Sequence, residues 1–129
     1  GCGIELHGHV HEYLPAQNAR NQANIEACRS AIMAVGLPHP THYCYPSGAF
    51  DAGAPEVMRA AGVRTATTCL AGLVRLRDAD SRFFLPRFLD GGDVSMLEFE
   101  AEMSGFSELL RKLARRGGHD AHVMRPAGA

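Results

Sequence analysis

The sequence predicts an α/β fold with parallel strands, on three observations. Short alternating segments and segments of helical period succeed one another along the chain. Glycine or Gly-Leu-Pro punctuation closes the helical segments. The two chemically richest stretches, "ELHGHVHEY" (5–13) and "THYCYPSG" (41–48), each fall where a strand should end. In folds of parallel strands, catalytic groups gather at the C-terminal strand ends, so the third observation bears on function as well as on architecture.

Taken in order, Ile4-Glu5-Leu6-His7 reads as a short strand within an expected span of residues 3–7. A helix is expected near residues 20–35, because Ile25, Cys28, Ile32 and Val35 recur at spacings of three and four before the stop at 36–38. The β-rich run from Thr41 gives a strand near 42–46, ended by Pro46 and Gly48. "APEVMRAAG" gives a short helix near 54–61, with Pro55 in its first turn and Gly62 beyond its end. "VRTATTC" is a strand by its Val and Thr content, near 63–68. "RFFLPRFLD" gives a strand near 83–88, and Pro86 makes it an end, an edge or a bulge. A last helix is expected over 95–115. Ser95 and Glu98 form a capping box, Phe99, Met103, Phe106, Leu110 and Leu113 make one apolar stripe, and Gly117-Gly118 follows a basic last turn. The division is therefore one domain, residues 1–116, and a loose tail, 117–129.

Composition removes several classes of function. The chain has 129 residues, 46% of them hydrophobic and 21% charged, which is ordinary for a globular domain and unlike a disordered chain. A net charge of -1 gives no electrostatic footprint for nucleic acid or an anionic membrane. No apolar run approaches the ~20 residues of a membrane helix. Cys2, Cys28, Cys44 and Cys69 are widely separated, without a C-x-x-C pair, and read as free thiols rather than a zinc knuckle or a disulfide framework. The chain opens at Gly1 in what reads as mid-strand, so an incomplete chain is expected.

His7, His9 and His11 place three imidazoles within five residues. On a continuing strand all three would share a face, and a solvated edge would suffice to explain them. If the chain turns helically after the strand, His7 and His11 share a face at i, i+4 and His9 points elsewhere. Paired imidazoles suit Zn, Co or Ni, and a third ligand, usually a carboxylate, completes such a site. Asp51 and Asp90 are the local carboxylates near strand ends, although Asp51 also suits a cap on the following helix.

In order along the chain, "GCGIELHGHVH", "YCYPSGAFD", "GVRTATTC" and "FLPRFLD" resemble the polysaccharide deacetylases, the NodB-homology group also called carbohydrate esterase family four. His7 and His11 match the family's H-x-x-x-H signature. The resemblance implies part of a distorted (β/α) barrel that removes acetyl groups from N-acetylated carbohydrates, with a divalent metal, Zn or else Co or Ni, held by His7 and His11. It also implies that the Ser47 backbone N–H helps form an oxyanion hole, with Tyr45, Pro46 and Gly48 in the substrate-binding turn. Arg87 stands in for a charge that family members often carry beside that proline. The family's paired aspartates, the third metal ligand and the general base, lie upstream of the histidines, and this sequence contains no Asp-Asp. The isolated chain is accordingly expected to be inactive, and to self-associate or pair with a missing N-terminal half. Two further readings stand beside this one: a non-catalytic interaction domain, and a metal hydrolase of the amidohydrolase or PHP type that uses His7 and His9.

Overall fold

Four short extended segments run side by side and parallel in a computed structural model of the chain, which describes residues 2–75, 77–89 and 91–116. Strands β1 (His42–Cys44) and β2 (Thr65–Thr67) form the sheet, with His42 opposite Thr65 and Cys44 opposite Thr67. Leu6 joins the outer side of β1 through a parallel bridge to Tyr43, with Leu6 N–H donating to His42 O and Cys44 N–H to Leu6 O. Leu85 joins β2 in the same way, opposite Thr67. The lateral order is thus Leu6, β1, β2, Leu85, which follows the chain. This is the α/β arrangement with parallel strands that the alternation of segments predicts. The expected strands at 3–7 and 83–88 contract to single bridges, because few neighbouring backbone groups on either side find ladder partners.

Helix α1 (Asn18–Ala34) and helix α2 (Ala54–Ala60) supply the crossovers, close to the spans expected for them. Pro55 stands in the first turn of α2, where its missing N–H costs nothing. Leu6, Tyr13, Ile25, Tyr43, Tyr45, Val57, Met58, Val63, Ala66 and Phe83 are buried together between the sheet and these helices. Three tyrosines stack edge to face in this core, Tyr13 on Tyr45 and Tyr43 on Tyr45, with centroids 5.4 and 5.3 Å apart. Burial raises the phenol pKa of all three, and the Asp51 carboxylate adds to the shift at Tyr13.

The last helix differs from the expectation of one continuous element. Two helices, α3 (Met96–Met103) and α4 (Phe106–Arg116), are separated at Ser104 and Gly105, where Gly105 turns to φ 78°. The capping box at the start of α3 is present as expected: Ser95 accepts from Glu98 N–H, and the Glu98 carboxylate accepts from Ser95 N–H at 2.8 Å. The expected apolar stripe is largely exposed, since Met103, Phe106, Leu110 and Leu113 each show half or more of their surface. The expected tail, 117–129, with His119 and His122, lies outside the described residues, as does Asp90.

Candidate functional site

The chain leaves the sheet at Leu6 and turns at once, so the three histidines do not continue a strand. Gly8 makes this turn at φ +87°; a Cβ there would stand 2.8 Å from Val10 O and 2.9 Å from the Asn24 side-chain nitrogen. The turn brings His11 back against His7, with ring centroids 4.8 Å apart and planes at 64°. His7 Nδ1 lies 2.7 Å from Cys44 O at the end of β1. A carbonyl can only accept, so Nδ1 carries a proton, and in the neutral ring Nε2 is the nitrogen with the free lone pair. This is the tautomer of a metal ligand oriented by a backbone carbonyl. His9 is exposed, and its backbone N–H donates to Asn24 O at 3.3 Å.

What holds the loop in this shape is a row of asparagines on α1. The Asn24 side chain accepts from Val10 N–H at 2.8 Å and donates to Val10 O and Glu12 O at 2.9 and 3.1 Å. One turn earlier, buried Asn21 accepts from Leu14 N–H and donates to Leu14 O. These residues were not singled out from the sequence. The signal was the three-residue spacing of Asn18, Asn21 and Asn24, which puts polar side chains, not apolar ones, on one face of the helix. Glu5 points away from the histidines and accepts from Thr41 and His42 N–H, both at 2.8 Å.

The second part of the site follows β1 directly. Pro46–Gly48 forms a 3-10 turn in which Ser47 and Gly48 both have positive φ, 53° and 69°. Left-handed backbone at a residue with a Cβ costs on the order of 1–2 kcal/mol. The turn holds it because Gly48 and Ala49 N–H donate back to Tyr45 O and Pro46 O, both at 3.0 Å. Pro46 has no N–H, so of the amides of residues 45–49 the Ser47 N–H is the one without a backbone partner among the described residues. Gly48 lies so close to Cys69 that a Cβ would stand 2.8 Å from the cysteine Cβ.

Arg87 approaches the same cysteine from the next strand position, with Nη2 3.0 Å from Cys69 Sγ. That contact raises the guanidinium pKa further. Ser47 is exposed and Gly48 half-buried, whereas Tyr45 and Pro46 are fully buried beneath the turn. Among the described residues the Tyr45 hydroxyl finds no hydrogen-bond partner.

Asp51 stands apart from the imidazole pair. Its carboxylate accepts from Tyr13 OH at 3.2 Å, Ala16 N–H at 2.6 Å and Gly53 N–H at 3.1 Å, tying the end of the histidine loop to the start of α2. Among the described residues no group of three His, Cys, Asp or Glu side chains is placed to hold a metal ion. The two imidazoles therefore fit a metal as part of a donor set, with proximity and tautomer both suited, and the described carboxylates do not complete it. Cys2, Cys28, Cys44 and Cys69 are all free thiols.

No curated protein matches the chain. Comparison with known protein families matches residues 1–66 to the family described as polysaccharide deacetylase. The matched span contains His7, His11 and the Pro46–Gly48 turn; Arg87, α3 and α4 lie beyond it. It covers just over half of the 129 residues, and by that match, with the paired imidazoles at a strand end inside it, the chain belongs to the polysaccharide deacetylase family.

Proposed function

We propose that this chain carries the metal-binding histidines and the oxyanion turn of a deacetylase that removes acetyl groups from N-acetylated sugars. In this reading residues 1–116 are part of a NodB-like domain, and the parallel order Leu6, β1, β2, Leu85 belongs to a distorted (β/α) barrel. The observation that carries the reading is the His7–His11 contact, with His7 fixed through Nδ1 by Cys44 O. His7 and His11 would hold a divalent ion, Zn or else Co or Ni. Such an ion, when bound, supplies a lowered water pKa and polarises the amide carbonyl.

The protein's own groups have separate duties in this reading. The free Ser47 N–H donates to the oxygen that becomes negative as the acetamide is attacked, an effect commonly worth about 3–4 kcal/mol. Its left-handed backbone is strain kept where the donor must face outward. Tyr45 and Pro46 support the turn from below, while Gly48 lets it approach Cys69 and the substrate side at once. Arg87 supplies positive charge behind the turn through Cys69. A general base is missing from this set, and a well-placed base contributes ~10²–10⁴-fold.

Acetate release from N-acetylglucosamine oligomers tests the proposal. The chain alone, with added Zn or Co, should release none above background. Fusing an upstream segment that bears paired aspartates should give metal-dependent turnover, which His7→Ala or His11→Ala should remove. A fusion that retains zinc yet stays inactive on N-acetylated sugars would overturn the assignment. Release by the chain alone, lost in His7→Ala, would move the third ligand to a local carboxylate and overturn the expected inactivity.

A further inference from the structure

Helix α4 packs with its charged side inward. At about 100° per residue, Phe106, Leu109, Leu110 and Leu113 share one side of the helix, and Glu108 and Arg111 fall away from it. The charged side is the one that meets the rest of the chain. Glu108 is only 8% exposed and pairs with Arg75 at 2.6 Å and Arg111 at 3.2 Å. Arg111 also grips Glu102 of α3 with two nitrogens, at 2.7 and 3.0 Å. These ion pairs fix the rotation of the helix. The four apolar side chains are left between 50% and 55% exposed, and Met103 just before them is 58% exposed.

We propose that this stripe is the docking surface for a second copy of the chain, the two α4 helices packing antiparallel about a two-fold axis. The four half-exposed large side chains offer on the order of 400 Å² of apolar surface, most of the apolar share of one side of a standard homodimer interface. The spacing of 106, 109/110 and 113 is that of a helix–helix seam, which two copies of the same helix can fill reciprocally. A net charge of only -1 opposes the approach of two chains very little. Charge also sets the direction. Residues 111–116 contain Arg111, Lys112, Arg115 and Arg116 and no acid, so parallel pairing would bring two basic ends together and antiparallel pairing keeps them apart.

Sedimentation of the full 129-residue chain at about 100 µM, where a Kd of ~10 µM already favours association, tests the proposal. A dimer is expected. Leu109→Glu and Leu113→Glu, each on an exposed position, should sediment as monomers with unchanged circular dichroism. A folded wild-type monomer, or a dimer unaffected by both substitutions, would overturn the assignment. So would a chain cut after Arg116 that dimerises while the full chain does not, because residues 117–129 would then be the occupant of the stripe.

Discussion

One amide side chain, Asn24, satisfies three backbone groups of the histidine loop, and this makes it a positioning residue for His11 rather than a ligand. Replacing it by Ala leaves Val10 N–H and Glu12 O to find water and Val10 O with the Glu12 N–H as its remaining donor, at a cost of about 1–3 kcal/mol. Asn24→Ala should therefore lower the urea midpoint and weaken zinc binding together. Asn24→Asp keeps the acceptor for Val10 N–H but loses both donated bonds, and should fall between the two. Equal zinc affinity in all three chains would show that the loop holds its shape without α1. The contact between His7 and His11 was legible in the sequence as one of two arrangements, a turn after the strand that puts i and i+4 on one face, and the H-x-x-x-H resemblance favours it. Its support was not. Apolar periodicity says nothing about a polar helix face, and the Asn row becomes meaningful only when the loop is folded over it. Tyr45 shows the converse limit: "YCYPSG" marks a turn, but it does not reveal that the ring lies in the core while Ser47, with no backbone partner for its N–H among the described residues, is exposed.

Helices α3 and α4 are joined to the chain by charge more than by apolar burial, and acid should loosen them first. Arg111 holds the Glu102 carboxyl below the usual glutamate range, and Arg111 with Arg75 does the same for Glu108. A carboxyl depressed in the folded state contributes stability above its unfolded pKa, about 4.3 for Glu. That contribution is lost as pH falls through the lower folded value. Helical circular dichroism should thus decline between about pH 4 and the folded pKa. Arg111→Ala should shift the decline to higher pH, and an acid transition unmoved by that change would contradict the ion-pair account. At the start of α3, Ser95→Ala removes the capping bond and should cost about 0.5–2 kcal/mol of local helix stability. The capping box could be read directly from Ser95 and Glu98. The break at Gly105 and the outward face of α4 could not, because periodicity identifies which residues share a side and not which side is covered.

At the scale of the whole molecule, the order of the parallel segments places the histidine loop and the Ser47 turn at the same end of neighbouring strands, joined by the His7–Cys44 hydrogen bond. The parallel direction was legible in the alternation of segments; the lateral order and the brevity of the outer strands were not, since both depend on partners that local propensity does not contain. A ligand that binds only the folded chain raises its melting temperature by an amount that grows with the logarithm of its concentration over its Kd, so the paired imidazoles can be tested through the stability of the entire fold. The most direct measurement is the zinc-induced shift in Tm of the wild-type chain beside His7→Ala, His9→Ala and His11→Ala. The His7–His11 pair predicts a shift in wild type, most of it kept in His9→Ala, and none in His7→Ala or His11→Ala. A shift that survives His11→Ala and disappears in His9→Ala would contradict the assignment and give the metal to His7 and His9.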